Sequence, residues 1–230
     1  MKNILNENPH KPPRGRLKYT LSKFVDLQDI RSKTILDVGC GYGWFEVYGL
    51  KNKAKKMYGN EVSEQDLLTA RKHVKNPKVR FEVGSAIDIP YKDYQFDTVV
   101  SWEVLEHIPK GTEVQMFKEV QRVLKSGGVF YFSTPYASIP AKMFDPAWWL
   151  IGHRHYTQEA ISGFAKKAGL KVEQFVVRGN WWHIGAILNL YFTKWILRGP
   201  GPFDKLILKK DEKSYTQDGF VNIFCKLSKK

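Results

Sequence analysis

The sequence predicts an α/β protein built on a doubly wound, mainly parallel sheet with helices on both faces. Strand-like and helical runs alternate from Thr34 to Pro135, and strands separated by helices of this length pair in parallel and are covered on both sides. The first strand also runs straight into a glycine-rich loop, at the carboxyl edge where such sheets bind ligands. A chain of 230 residues with 43% hydrophobic and 26% charged residues can bury one sizeable core.

Residues 1–16 are polar, prolyl and basic and read as an N-terminal arm. "YTLSKFVDLQDI" then has helical spacing and leads into the strand "TILDV". A short helix over Phe45 to Lys51 follows, then a strand in "KKMYGNEV". "SEQDLLTARKHV" is a helix capped by Ser63, with Asp66 three residues on. "VRFEVG" and "FDTVVSW" are strands. "TEVQMFKEVQRVL" is a helix with Val114, Phe117, Val120 and Leu124 on one side, ended by Ser126, Gly127 and Gly128. "GVFYFSTP" is the fifth strand. The stretch "PYASIPAKMFDPAWWLIGHRHY" reads as a long loop of functional length. A helix from a Thr157 cap to Gly169 and two strands, "LKVEQFVV" and "GFVNIFCKL", complete the chain around an aromatic-rich insertion at about 179–219.

Lysine and arginine outnumber acids 37 to 23, a formal +14, which favours an anionic substrate, membrane surface or nucleic acid, although dispersed lysines also serve only to solubilise. Two cysteines make no disulfide framework and suit a reducing compartment. No signal peptide is legible at the N-terminus, so the cytoplasm is expected.

In "ILDVGCGYGWF", Gly39, Gly41 and Gly43 allow backbone angles closed to other residues and close approach of a ligand. Trp44 stands where a dinucleotide fingerprint would place its third glycine, and no G-K-[ST] follows to make a P-loop. Asp37 adds negative charge at the strand end. Glu61 closes the second strand, where a carboxylate can accept both hydroxyls of a ribose. A ribose-bearing ligand with an attached cation fits these features better than a pyrophosphate.

"ILDVGCGYG", "YGNEVS", "FDTVVSWEVLEHIP" and "RVLKSGGVFYFSTP", in this order, resemble the class I S-adenosylmethionine-dependent methyltransferases, in the branch acting on small molecules, lipids and glycans. The resemblance implies a Rossmann-like, seven-stranded sheet with an antiparallel last strand at Val221 to Leu227, and a methyltransferase domain over 17–230. It implies S-adenosyl-L-methionine as cofactor, with Asp37, Gly39, Cys40, Gly41 and Gly43 lining its methionine part. Glu61 would hold the ribose, Val62 would lie beside the adenine, Ser85, Ala86 and Ile87 would edge the ring, and Trp102 and Glu103 would border the methionyl end. Ser85 departs from the acid that relatives often carry there.

Methyl transfer neutralises charge, so only a poor nucleophile needs a base, and histidine is the natural one. His107, His153 and His155 are the catalytic candidates, with His183 a further histidine in "NWWHIG". Loop anchoring through Arg154 or Tyr156 is the alternative reading of "HRHY". No metal is expected, because no acid or third histidine lies near His153 and His155 in sequence.

"WWHIGAILNLYFTKWIL" is too short and too interrupted to span a membrane. It reads as a packed helix, a lid over an apolar acceptor, or a membrane-surface helix over 181–197. The expected partner is a small-molecule or lipid-linked substrate, a glycan or quinone precursor being an example, and the localisation cytoplasmic with membrane association. Two rivals stay open. One is an RNA methyltransferase, for which the charge speaks but no Asn/Asp-Pro-Pro-Tyr tetrapeptide or appended RNA-binding module is found. The other is a non-catalytic S-adenosylmethionine-binding protein.

Overall fold

The computed structural model describes residues 8–199, 201 and 203–230. Helix α1 (Gly15–Tyr19) runs through a wide helical turn (Thr20–Phe24) and a tight one (Leu27–Asp29) into strand β1 (Thr34–Val38). There follow α2 (Trp44–Lys51), β2 (Lys56–Glu61), α3 (Glu64–His73), β3 (Val79–Val83), β4 (Phe96–Trp102), α4 (Glu113–Val123) and β5 (Leu124–Pro135). After these come α5 (Ile139–Met143), α6 (Pro146–Ile151), α7 (Gln158–Lys167), β6 (Leu170–Arg178), α8 (Trp181–Phe192), extended by a turn over Thr193–Leu197, α9 (Asp204–Ser214) and β7 (Asn222–Lys229).

The sheet has the order β3-β2-β1-β4-β5-β7-β6. The first five strands in that order pair in parallel, while β7 lies antiparallel between β5 and β6, in register Phe132 to Cys225 to Phe175. Chain direction away from the first strand reverses between β1 and β4, which opens a crevice at their carboxyl ends.

Alternation along β5 feeds two cores. Phe130 and Phe132 join Phe117 of α4 and Ile161 of α7 on one face, and Tyr131 joins Phe24, Phe45, Tyr215 and Phe224 on the other. All of these except Phe24 are essentially inaccessible. At about 2–3 kcal/mol for each fully buried aromatic or aliphatic side chain, these two layers are the main source of stability.

Four local details differ from the sequence reading. Helix α1 begins at Gly15, inside the segment read as an arm, because Gly15 sits against α9: a Cβ there would lie 2.5 Å from Asp211 Oδ2. Helix α4 buries Met116 and Val123 with Phe117 and Val120, leaving Val114 only half-buried. The Gly127–Gly128 stop lies within a strand, since β5 already pairs at Leu124 with Phe96 and bulges before Val129 meets Thr98. The long loop holds α5 and α6, too short to show a helical period but properly capped: Ser138 Oγ accepts from Ala141 N (3.1 Å) and Asp145 Oδ1 from Ala147 N (2.9 Å). Among the described residues no helix is long and apolar enough to cross a membrane.

Candidate active site

The glycine loop leaves the carboxyl end of β1 with Gly39, Gly41 and Gly43 all in the left-handed region, at φ +75°, +52° and +85°. Their demands differ. A Cβ on Gly39 would lie 2.3 Å from Val104 Cγ2, and one on Gly43 would lie 2.9 Å from Val74 Cγ2, so both glycines serve internal packing. A Cβ on Gly41 would meet nothing within 4 Å. Only Gly41 faces open space, the cradle that a ligand could fill.

The loop is tied to β2, as Gly39 N and Cys40 N both donate to Asn60 O (2.8 and 3.2 Å). Glu61 lies across it: Oε2 accepts from Gly41 N (3.2 Å) and Oε1 from Val62 N (2.8 Å). Beneath, Asp37 and Glu46 are buried, and none of their four carboxylate oxygens has a hydrogen-bond partner among the described residues. Burial, then the neighbouring Glu61, holds the Asp37 carboxyl well above the usual range, and burial, then Asp37, does the same to Glu46. The Cys40 thiol is likewise pushed up, by burial first and then by these acids, so it presents a neutral sulfur to the core.

The adenine-side residues are less uniform. Val62 stands exposed at the rim. Ser85 to Asp88 is a tight turn, with Ser85 Oγ accepting from Ile87 N (3.3 Å). The Ala86 side chain is buried in the core, which leaves its backbone alone to meet a ligand. Trp102 packs against Phe45 and Trp44 (ring centroids 5.7 and 6.2 Å apart).

Glu103, in the left-handed region at φ +56°, belongs to a second cluster. Its carboxylate accepts from Ser133 Oγ (2.6 Å), Arg16 Nη1 (2.5 Å) and Asn222 Nδ2 (3.4 Å). Burial opposes the charge on Arg16, but Glu103 outweighs it and holds the guanidinium above its ordinary value. Arg16 and Glu103 line a cavity of about 60 Å³ together with His153, His155, Phe144 and Ile184. A larger groove of about 400 Å³, beside Lys23, Tyr131 and Lys226, touches none of the residues singled out from the sequence.

The side chains of residues 153–156 divide by alternate position. Arg154 donates to Leu105 O (2.9 Å) and to the Ile108 carbonyl, and Tyr156 OH donates to Leu105 O (2.9 Å), anchoring the loop. His153 and His155 point the other way, into the cavity wall. The anchoring reading of "HRHY" thus fits Arg154 and Tyr156, while His153 and His155 line the cavity. His153 Nδ1 donates to Asp145 Oδ2 (2.9 Å), and its Nε2 lies 3.6 Å from Glu106 Oε1. Burial would lower His153, but Asp145 and Glu106 overcome it and push the imidazole up to about 9. Burial lowers His155 to about 4. His107 is exposed, its ring lies tilted with its centroid 4.8 Å from that of His153, and it is held below its ordinary value chiefly because the surrounding protein partly desolvates the charged ring. His107 is absent from the cavity wall. His183 is buried in α8, with Nδ1 within 2.9 Å of Asp211 Oδ1 and 3.0 Å of Tyr215 OH.

Folding also corrects the ground on which a metal was not expected. Glu106 and His107, about fifty residues from His153 in sequence, stand beside it. Sequence reasoning likewise missed Arg16, Glu46, Asp145 and Asn222. For Glu106 a signal was present, an acid next to the histidine of "LEH"; the others needed the fold.

The buried acids without a cation, the open face of Gly41 and the placing of Glu61 fit a cationic, hydroxylated ligand. Comparison with known proteins agrees. Residues 35–128 match the methyltransferase domain family. Norajmaline N-methyltransferase of Rauvolfia serpentina is 32% identical over 112 residues, which cover 46% of this chain and 38% of that one. Ubiquinone biosynthesis O-methyltransferase of Neisseria meningitidis is 31% identical over 110 residues, 46% of this chain and 45% of the relative. The chain thus spans less than half the length of these curated relatives. An S-adenosylmethionine-dependent methyltransferase structure from Mesorhizobium loti shares the fold with a TM-score of 0.63, 18% identity and coverage of 90% of this chain and 95% of that one.

Proposed function

The chain belongs to the class I S-adenosylmethionine-dependent methyltransferases, and from that premise we propose that it transfers a methyl group to a small-molecule acceptor, of lipid-linked kind. The observation that carries this reading is the open space at Gly41, faced by Glu61, on the same sheet edge as the histidine-walled cavity.

S-adenosylmethionine would be held by the Gly41 backbone and by Glu61, whose carboxylate can accept ribose hydroxyls, above the buried carboxyls of Asp37 and Glu46, whose ionisation a nearby cation would favour. When bound, the cofactor supplies an electrophilic methyl group on a positively charged sulfur. The protein's own task is then to align the acceptor and exclude water. His153, its ring fixed by Asp145, walls the acceptor cavity together with His155, Glu103 is held rigid by Arg16 and Ser133, and Phe144 and Ile184 supply apolar walls. His107, outside that wall, has no direct contact with the acceptor.

Lipid linkage is supported by the outer side of the same elements. While His183 and Ile184 of α8 turn inward, Trp181, Trp182, Leu188, Trp195 and Ile196 are exposed, as are Trp149 and Leu150 of α6. Cations accompany them: Lys210 lies 5.3 Å from the Trp182 ring centroid and Lys142 5.8 Å from that of Trp148. Exposed tryptophans among lysines suit an anionic membrane surface. The free, buried cysteines Cys40 and Cys225 suit a reducing compartment, which supports reading that surface as a cytoplasmic one.

Calorimetry with S-adenosylhomocysteine tests the cofactor, and mass spectrometry of lipid and polar extracts, incubated with the protein and S-adenosylmethionine, tests the acceptor. Saturable binding and an apolar metabolite heavier by one methylene are expected. No cofactor binding would sink the reading, and a methyl group appearing in RNA alone would replace it with the RNA alternative.

A further inference from the structure

Glu106 Oε1 is a buried polar atom that the methyl-transfer reading leaves unexplained. The Glu106 side chain is wholly inaccessible, and its two oxygens are treated differently. Oε2 accepts from Thr134 Oγ1 (2.9 Å), whereas Oε1 has no hydrogen-bond partner among the described residues. A buried carboxylate oxygen left without a donor is costly, and native structures fill such positions with something. His153 Nε2, at 3.6 Å, is too far for a hydrogen bond.

His153 is prepared in the same way. Its Nδ1–H is given to Asp145 Oδ2, which fixes the ring and turns Nε2 toward Glu106 Oε1. A carboxylate behind one imidazole nitrogen is the arrangement that orients histidine as a metal ligand through the other. Thr134 does the equivalent for Glu106. His107 brings a third donor, and one donor atom from each of the three residues lies within 4.8 Å of the others. Ligands about 2.0–2.2 Å from a shared ion stand roughly 3–3.5 Å apart, so a rotation of the exposed His107 ring closes the set. That same exposure provides an entry path and leaves coordination positions open.

We infer that Glu106, His107 and His153 form a binding site for one divalent transition-metal ion, ligated by Glu106 Oε1, His153 Nε2 and a His107 ring nitrogen. Two imidazoles and a carboxylate suit zinc, manganese, iron(II) or cobalt, whereas magnesium and calcium prefer all-oxygen sets. The site stands on this geometry whether or not the chain transfers methyl groups; if it does, the ion lies beside the acceptor cavity that His153 walls.

The test is a titration of the untagged full chain, stripped with a chelator and dialysed, with cobalt(II) followed by its visible absorption, and with zinc as competitor. One equivalent is expected to bind and to be displaced by zinc. Affinity should fall by at least about tenfold in His153→Ala and in the surface variant His107→Asn, and by about 10–100-fold in Asp145→Asn, which removes only the carboxylate behind His153. His73→Ala, a histidine far from the cluster, should leave binding unchanged. Circular dichroism of each variant confirms that it is folded, and His107→Asn keeps the test decisive if the buried changes unfold the protein. No stoichiometric binding by the wild-type chain overturns the inference, as does binding that survives all three cluster variants. Such a result would mean that His153 merely bridges Glu106 and Asp145 as an ion pair. Cofactor calorimetry on the same samples separates this outcome from failure of the methyl-transfer reading, since either binding event can be lost without the other.

Discussion

Gly39 and Gly41 stand two residues apart in one loop, yet substitution should break different things. Gly41→Val puts bulk into empty space, at a backbone cost of about 1–2 kcal/mol for the left-handed conformation. The chain should stay folded while binding of S-adenosylhomocysteine falls below calorimetric detection. Gly39→Ala instead drives a methyl group into Val104, adding about 1–3 kcal/mol of overpacking to the same backbone cost, and should lower the melting temperature more. Unchanged affinity in Gly41→Val, or equal losses of stability in the two variants, would refute the division of labour. Glu46 offers a test by pH. Its folded-state pKa is raised above the ordinary 4.5 by burial and then by Asp37, so below 4.5 both states hold the proton and burial carries no ionisation penalty. Above 4.5 the unfolded chain releases its proton first, and stability falls by about 1.4 kcal/mol per pH unit until the folded pKa is reached. Glu46→Gln should therefore raise the melting temperature of the cofactor-free protein at pH 8, with little effect at pH 4.5; a change equal at both would remove ionisation as the cause. The motif letters made Gly41, Asp37 and Glu61 legible. Glu46 was not, because an acid in the first turn of a helix ordinarily faces water and the helix dipole. It is buried here because Gly59 makes room: a Cβ there would lie 2.6 Å from Glu46 Oε1.

The two helices between β6 and β7 are pinned as a unit by one buried tyrosine. Tyr215 OH lies 3.0 Å from both His183 Nδ1 of α8 and Asn222 Oδ1 of β7, and its ring packs among Phe24 and Phe224. Tyr215→Phe keeps that packing and removes only the hydroxyl, leaving buried polar partners unmatched at a cost of about 1–3 kcal/mol. Because His183 and Ile184 of α8 line the histidine-walled cavity, amide exchange should accelerate through α8 and α9 while β1 and β4 stay protected. Uniform acceleration across the sheet would show that Tyr215 supports the whole core instead. Element by element, what the sequence made legible followed from periodicity over enough residues. The Ser63 and Thr157 caps and the strands fell close to their read positions, whereas α5 and α6, of 5 and 6 residues, are shorter than two turns and leave no period to read. The start of β5 at Leu124 was hidden by Gly127 and Gly128, which mark a bulge as readily as a helix end.

At the scale of the molecule, alternation made the parallel sheet legible, and the family resemblance added the antiparallel last strand. Neither revealed that β4 and β5 carry Glu103, Glu106 and Thr134 to a place where the residue 145–155 segment closes over them, because that meeting depends on strand order rather than on spacing. Charge is the property of the whole chain with the most direct physical consequence. A surplus of +14 is compatible with mere solubility, so what matters is whether cations and exposed aromatics share one side. Around α8 and α9 they do: Arg198, Lys205, Lys209 and Lys210 are exposed with Trp182, Trp195 and Phe203. Binding to vesicles rich in anionic lipid should therefore exceed binding to neutral vesicles. Each lysine near the surface contributes about 1 kcal/mol, so Lys209→Gln and Lys210→Gln should each weaken partitioning roughly fivefold. Raising the salt shortens the reach of these charges from about 10 Å at 0.1 M toward 3 Å at 1 M, which should remove most of the difference between the two vesicle types but leave an apolar remainder due to the tryptophans. Trp195→Ala should reduce that salt-resistant part and leave the salt slope intact. If binding follows neither lipid charge nor Trp195, the exposed face meets something other than a membrane, and the proposed lipid-linked acceptor loses its support while the cofactor reading of the open space at Gly41 keeps its own.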